Sequence, residues 1–247
     1  MWDDTIVALS HDKDGVSVTF DRAEPRRFDL VIGADGLHSA VRRLAFGPET
    51  DFVHHMGICV ATPPIDGPAY NDREVTLYNT PGQMVSVDPS RGHAVAAFMF
   101  RSPALPGFDH RYTEQHKRLV ATTSPAVPGG PELREQVQAA ADIYFDSVSQ
   151  VRLPQWSNGR IAVLGDAASC LSLFGDGSAL AIAGAYTLAE ELAASRTDPE
   201  MAFRRYEPGT GPSWTPSSEA SPQPPPCSSR PPGAESRSGT WRPGCFP

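Results

Sequence analysis

Apolar residues open the chain in two short alternating runs, Thr5-Ile6-Val7-Ala8-Leu9 and Val16-Ser17-Val18-Thr19-Phe20, on either side of His11-Asp12-Lys13-Asp14-Gly15. Runs rich in β-branched residues around an Asp-Gly turn signal predict an antiparallel hairpin. Phe28-Asp29-Leu30-Val31-Ile32 reads as a buried strand that ends in Gly33-Ala34-Asp35-Gly36, and Ser39 to Leu44 can begin a helix. From about 51 to 105 the pattern predicts strands at Phe52 to Ala61, Glu74 to Tyr78, Met84 to Val87 and His93 to Phe100. Pro63, Pro64, Pro81 and Pro89-Ser90-Arg91-Gly92 punctuate them, as in an antiparallel sheet rather than alternating strand and helix units. Residues 109–120 and 131–142 have helical composition. Ile161-Ala162-Val163-Leu164 is a second buried strand, running into Gly165-Asp166-Ala167-Ala168; Gly175-Asp176-Gly177 then opens a helix that ends near Arg196.

Composition narrows the partners. The chain has 247 residues, 40% of them apolar, which suits a globular fold and excludes fibrous and disulfide-stapled classes. A formal charge of −8 argues against nucleic-acid phosphate or an anionic membrane as the main partner, and favours a small molecule. Four dispersed cysteines, Cys59, Cys170, Cys227 and Cys245, form no metal or disulfide pattern, consistent with a reducing cytoplasm. Acids interrupt the N-terminus before an apolar run reaches signal-peptide length, and the longest apolar stretch, Ser178 to Ala189, is too short to span a bilayer. Eleven of the 25 prolines fall in residues 208–247, a stretch without Leu, Ile or Val that is expected to be a disordered tail.

Both buried strands end in glycine and aspartate, at the point where an open α/β sheet presents its ligand crevice. Glycine lets backbone N–H groups approach a phosphate or ring carbonyl, and a neighbouring carboxylate can accept hydrogen bonds from sugar hydroxyls. A helix starting at Gly177 aims its positive end at what precedes it. Each signal alone also fits a plain strand-to-helix turn or an Asp176 cap; the pair, about 130 residues apart with a sheet between, says more.

The segment Asp29-Leu-Val-Ile-Gly-Ala-Asp-Gly-Leu-His-Ser-Ala-Val-Arg42 resembles the Asp-Gly motif of the FAD-dependent aromatic-hydroxylase-type (group A) flavoprotein monooxygenases. Gly159-Arg-Ile-Ala-Val-Leu-Gly-Asp-Ala-Ala168, followed by Gly175-Asp-Gly177, resembles that family's Gly-Asp motif, and Ala185 to Leu192 the helix after it. The resemblance covers roughly residues 1–206. It implies a mixed α/β (α+β) fold, a FAD-binding Rossmann-like domain with an inserted antiparallel β-sheet substrate domain. The expected division is 1–50 and 151–207 for FAD, 51–150 for the substrate. The family's opening Gly-x-Gly-x-x-Gly occurs nowhere in the sequence, so the resemblance implies an N-terminally truncated member with an incomplete FAD-binding domain.

By the same resemblance, Gly165, Asp166 and Ala167 hold the ribityl and pyrophosphate part of FAD. Gly175, Gly177 and Ser178 lie by the pyrimidine edge of the ring. Asp35 and Gly36 serve the pyrophosphate side and the NAD(P)H donor, with Arg42 as an electrostatic partner. The substrates implied are dioxygen and a small organic molecule, aromatic or polyketide-like. No protein acid or base is expected to be catalytic, because the cofactor carries the hard step. Two alternatives stand beside this: a non-catalytic remnant that binds FAD weakly or not at all, and another FAD-dependent oxidoreductase. None of the seven histidines forms a metal-binding pattern. Ser39 and Ser169 lack a nucleophile elbow, and Tyr144, Phe145 and Trp156 are expected to be core residues.

Overall fold

The computed structural model describes residues 4–65, 75–90, 93–105, 112–123, 130–170 and 177–210. Gly175 and all but the first three residues of the proline-rich stretch lie outside them. The predicted hairpin forms from β1 (Ile6–Asp12) and β2 (Gly15–Phe20), which are antiparallel. Asp12 holds the turn by accepting from the amides of Asp14 and Gly15, and its carboxylate also pairs with Arg27. The strand expected over 28–32 divides in two. β3 (Arg26–Phe28) pairs with β2, whereas β4 (Val31–Gly33) belongs to another sheet. The break falls at Asp29, whose carbonyl accepts from the Arg160 guanidinium at 3.0 Å instead of a ladder partner.

Helix α1 (Ala40–Ala45) starts at Ser39, whose hydroxyl accepts from the Arg42 amide at 2.9 Å as an N-cap. The middle of the chain is the expected antiparallel sheet, formed by β5 (Val53–Thr62), β6 (Pro64–Ile65), β7 (Thr76–Thr80), β8 (Gln83–Ser90) and β9 (His93–Arg101). Helices α2 (Thr113–Thr123) and α3 (Gly130–Ala139) supply Val120, Leu133 and Val137 to its core, beside Val85, Phe98 and Phe100. One edge is β10 (Tyr144–Val151), antiparallel to β5. Phe145 is in the core as expected, while Tyr144 is exposed on the other face.

β11 (Ser157–Asn158) and β12 (Ile161–Val163) complete a three-stranded sheet in which β12 lies parallel to β4. Helix α4 (Gly177–Ala194) follows, and α5 (Pro199–Thr210) packs on it. α5 runs past residue 207, where the tail was expected to begin; it buries Phe203 and Tyr206 against Trp156. This second core also contains Val16, Val18, Val41, Ile161 and Val163. The two cores thus draw on different stretches, one on residues 59–145 and the other on segments before and after them. Among the described residues no helix is long and apolar enough to cross a membrane.

Candidate functional site

The two glycine-and-acid corners leave one sheet side by side. β4 and β12 run parallel with Gly33 opposite Val163, and the Leu164 amide donates to the Gly33 carbonyl at 2.8 Å. Asp35-Gly36 and Gly165-Asp166 therefore emerge from neighbouring strand ends, although they are about 130 residues apart in sequence. Gly36 (φ +79°) and Gly165 (φ +61°) both adopt left-handed backbone, a region that glycine enters without steric cost. A Cβ on Gly36 would meet nothing within 4 Å, so that corner opens on free space.

Arg42 joins the corners. It is 1% exposed, and its guanidinium donates to the Leu37 carbonyl on the first corner and to the Ala167 carbonyl on the second, the latter at 3.0 Å. Burial pulls its pKa down, while Glu49 and Asp35 oppose that shift. Arg42 is thus a strut within the protein rather than an open charge. Asp35 is likewise engaged: Ser39 Oγ donates to Oδ1 at 2.5 Å and the Val41 amide to Oδ2 at 3.1 Å, so its carboxylate orders the start of α1.

Asp166 differs. It is exposed and accepts no hydrogen bond from the described residues. The turn at Gly165–Ala167 places it beside the start of α4, where a Cβ on Gly177 would lie 3.7 Å from Asp166 Oδ1. Gly165 is equally tight against the helix, a Cβ there meeting that of Ala181 at 3.3 Å. Gly177 and Ser178 are exposed in the first turn of α4, whose unpaired amides suit an anion. One carboxylate with free acceptors, two left-handed glycines, an open space and a helix start form a donor and acceptor set that fits the hydroxyls and phosphates of a dinucleotide. We expect Gly165→Ala to destabilise the fold by about 1–2 kcal/mol, through strain at positive φ and contact with Ala181, as read by urea unfolding.

Sequence reasoning missed two participants. His38 contacts Glu49 at 2.9 Å and Asp146 at 3.0 Å. Tyr144 leans on Asp146, its hydroxyl pushed up to about 12 by burial, then by Asp146 and, more weakly, by Cys170 and Asp166. The outer face of β10 therefore meets the first corner through Asp146. No His, Cys, Asp and Glu cluster suited to a metal occurs among the described residues. His55 Nε2 instead meets the Ser102 carbonyl at 2.7 Å, and Cys170 is buried. A surface hollow over α3, lined by Pro131, Arg134, Glu135, Gln138 and Ala139, is a separate place.

A family model described as an FAD binding domain matches residues 2–206. The chain is 41% identical over 210 residues to the uncharacterized protein Rv1260 of Mycobacterium tuberculosis, covering 83% of this chain and 56% of that protein. It is 34% identical over 209 residues to a flavin-dependent monooxygenase of Legionella longbeachae, covering 82% and 53%. The crystal structure of the tetracycline destructase Tet(55) superposes with a TM-score of 0.74 at 35% identity, over 83% of this chain and 55% of that one. The chain spans about half the length of the curated relatives it matches.

Proposed function

We propose, for a chain that belongs to the FAD binding domain family, that the paired corners hold FAD and that the protein serves an FAD-dependent, NAD(P)H-using monooxygenase reaction. The observation that carries this reading is the parallel register of β4 and β12, which sets Asp35-Gly36 beside Gly165-Asp166. Bound FAD supplies hydride acceptance and dioxygen activation. The chain's own residues bind and orient. Asp166 accepts from ribityl hydroxyls near the pyrophosphate, and the amides of Ala167, Gly177 and Ser178 face the anionic and carbonyl oxygens. Gly36 leaves room for close approach on the donor side, with Asp35 fixing the loop and Arg42 fixing the distance between corners. Gly175, which lies outside the described residues, is kept with Gly177 and Ser178 as a proposed cofactor-binding residue. The large sheet roofs a small organic substrate; Tet(55), whose name assigns it a tetracycline, supports an aromatic or polyketide-like class.

The purified protein with added FAD is expected to keep flavin absorbance bands through gel filtration, and NADPH is expected to drive dioxygen uptake with a phenolic panel. Asp166→Ala should weaken FAD binding by about 1.5–3 kcal/mol, or roughly 10- to 150-fold in Kd, the loss of a charge-assisted hydrogen bond. An unchanged Kd removes Asp166 from the site. A second reading, in which the same corners bind FAD weakly and turn nothing over, is favoured by the exposure of Asp166, Gly177 and Ser178. These leave the second corner open to water, which weakens every polar contact made there. A protein that takes up FAD only at millimolar concentration, without dioxygen uptake, supports that reading instead.

A further inference from the structure

Three separate elements converge on one imidazole. His38 closes the first corner, two residues after Gly36. Its Nδ1 lies 2.9 Å from Glu49 Oε1, on the turn that follows α1. Its Nε2 lies 3.0 and 3.2 Å from the two carboxylate oxygens of Asp146 on β10. The side chains of His38, Glu49 and Asp146 are only 23, 30 and 9% exposed. Carboxylates accept and do not donate, so a ring flanked by one on each nitrogen satisfies both only when both nitrogens carry protons. A neutral ring would turn a lone pair toward one of them.

We infer that His38 is a positioning residue: as an imidazolium it ties the first corner to β10 of the large sheet, and loss of its proton releases that tie. The groups facing it agree. From α1, Arg43 reaches Glu49 Oε2 at 3.7 Å and the His38 carbonyl at 3.3 Å, which orients Glu49 without displacing the ring. Buried Arg42 lies in the field of Glu49 and Asp35, and Asp35, on the same loop as His38, is held by Ser39 and the Val41 amide. From β10, Tyr144 hydrogen-bonds Asp146, and the Ser147 amide donates to Asp146 Oδ1 at 2.7 Å. Asp146 is thereby fixed as an acceptor facing the ring.

His38 is accordingly raised to about 9, first by its bond to Asp146 and then by Glu49, with burial opposing. Glu49 is lowered, chiefly by the same bond. A folded pKa above the unfolded one means that the stability the tie contributes is complete below about pH 6.5 and is lost as pH rises through about 9, where the folded ring itself loses its proton. Because Asp146 lies on β10 of the large sheet, release would let that sheet shift relative to the first corner. The tie itself needs no cofactor; only its meaning for binding rests on the proposed function.

The test is an NMR titration of the His38 ring in the full chain, alone and as Asp146→Asn, with amide hydrogen exchange of residues 34–39 from pH 7 to 10. We expect the ring to titrate near 9 in the unmodified chain, and to move down by about one unit or more once Asp146 loses its charge. After correction for base catalysis, protection of 34–39 should fall through that titration. His38→Gln should lose the protection at every pH, and His38→Arg, which stays charged, should keep it at pH 10. A ring titrating in the ordinary histidine range overturns the inference, as does protection with the same pH profile in the unmodified chain and His38→Gln. If FAD fails to bind at any pH while His38 titrates near 9, the cofactor reading falls and the tie stands; FAD binding with an ordinary His38 gives the reverse.

Discussion

Arg42→Ala is expected to lower the unfolding free energy by about 2–4 kcal/mol. The substitution strands the carbonyls of Leu37 and Ala167, both of which accept from a guanidinium that is 1% exposed. An unsatisfied buried acceptor costs about 1–3 kcal/mol, and relief from burying a charge offsets only part of the sum. Arg42→Lys should recover part of the loss, because a single ammonium on a flexible stem cannot match a planar fork that spans two corners. Urea midpoints with unchanged slopes would measure this. A loss under about 0.5 kcal/mol for Arg42→Ala would mean that the corners are held together by the β4–β12 ladder alone.

Gly33→Ala is expected to be nearly as damaging, at about 2–3 kcal/mol. Gly33 ends β4 where α1 crosses it, and an added Cβ would stand 2.6 Å from Val41 Cβ and 2.7 Å from Cγ1. Neither contact is with the far end of a flexible side chain, so the helix must move. Moving it displaces the Val41 amide that holds Asp35 and the Arg42 guanidinium that reaches Ala167. The same variant should therefore bind FAD at least about tenfold more weakly. In a Val41→Gly background the added cost of Gly33→Ala should shrink below about 1 kcal/mol; full additivity would show that the two positions are not in contact.

Much of this arrangement was legible in the sequence because it is local. The hairpin at Asp12–Gly15, both glycine-and-acid strand ends, the helix from Gly177 and the antiparallel middle follow from short runs and their punctuation. What escaped is long-range. Phe28 to Ile32 reads as one strand, yet its halves serve different sheets because Arg160 takes the Asp29 carbonyl. β10 was hidden by a register shift between Ser147 and Ser149, which breaks its alternation so that Phe145, Val148 and Val151 are buried at a spacing of three. α5 was hidden by its short apolar content, Phe203 and Tyr206 being its main anchors. His38 falls inside the first corner's motif, but its pairing with Glu49 and Asp146 has no local signature, since those partners lie 11 and 108 positions away. Arg42 was legible as a charge near the site but not as a buried strut, because nothing local tells which carbonyls it will meet.

Amide hydrogen exchange with and without FAD tests most directly whether the two corners act as one cofactor cradle. The prediction is joint slowing at residues 34–39, 165–170 and the first turn of α4, reduced together by Asp166→Ala. Slowing at one corner only, slowing confined to the hollow over α3, or no slowing at FAD concentrations that elute with the protein would contradict it.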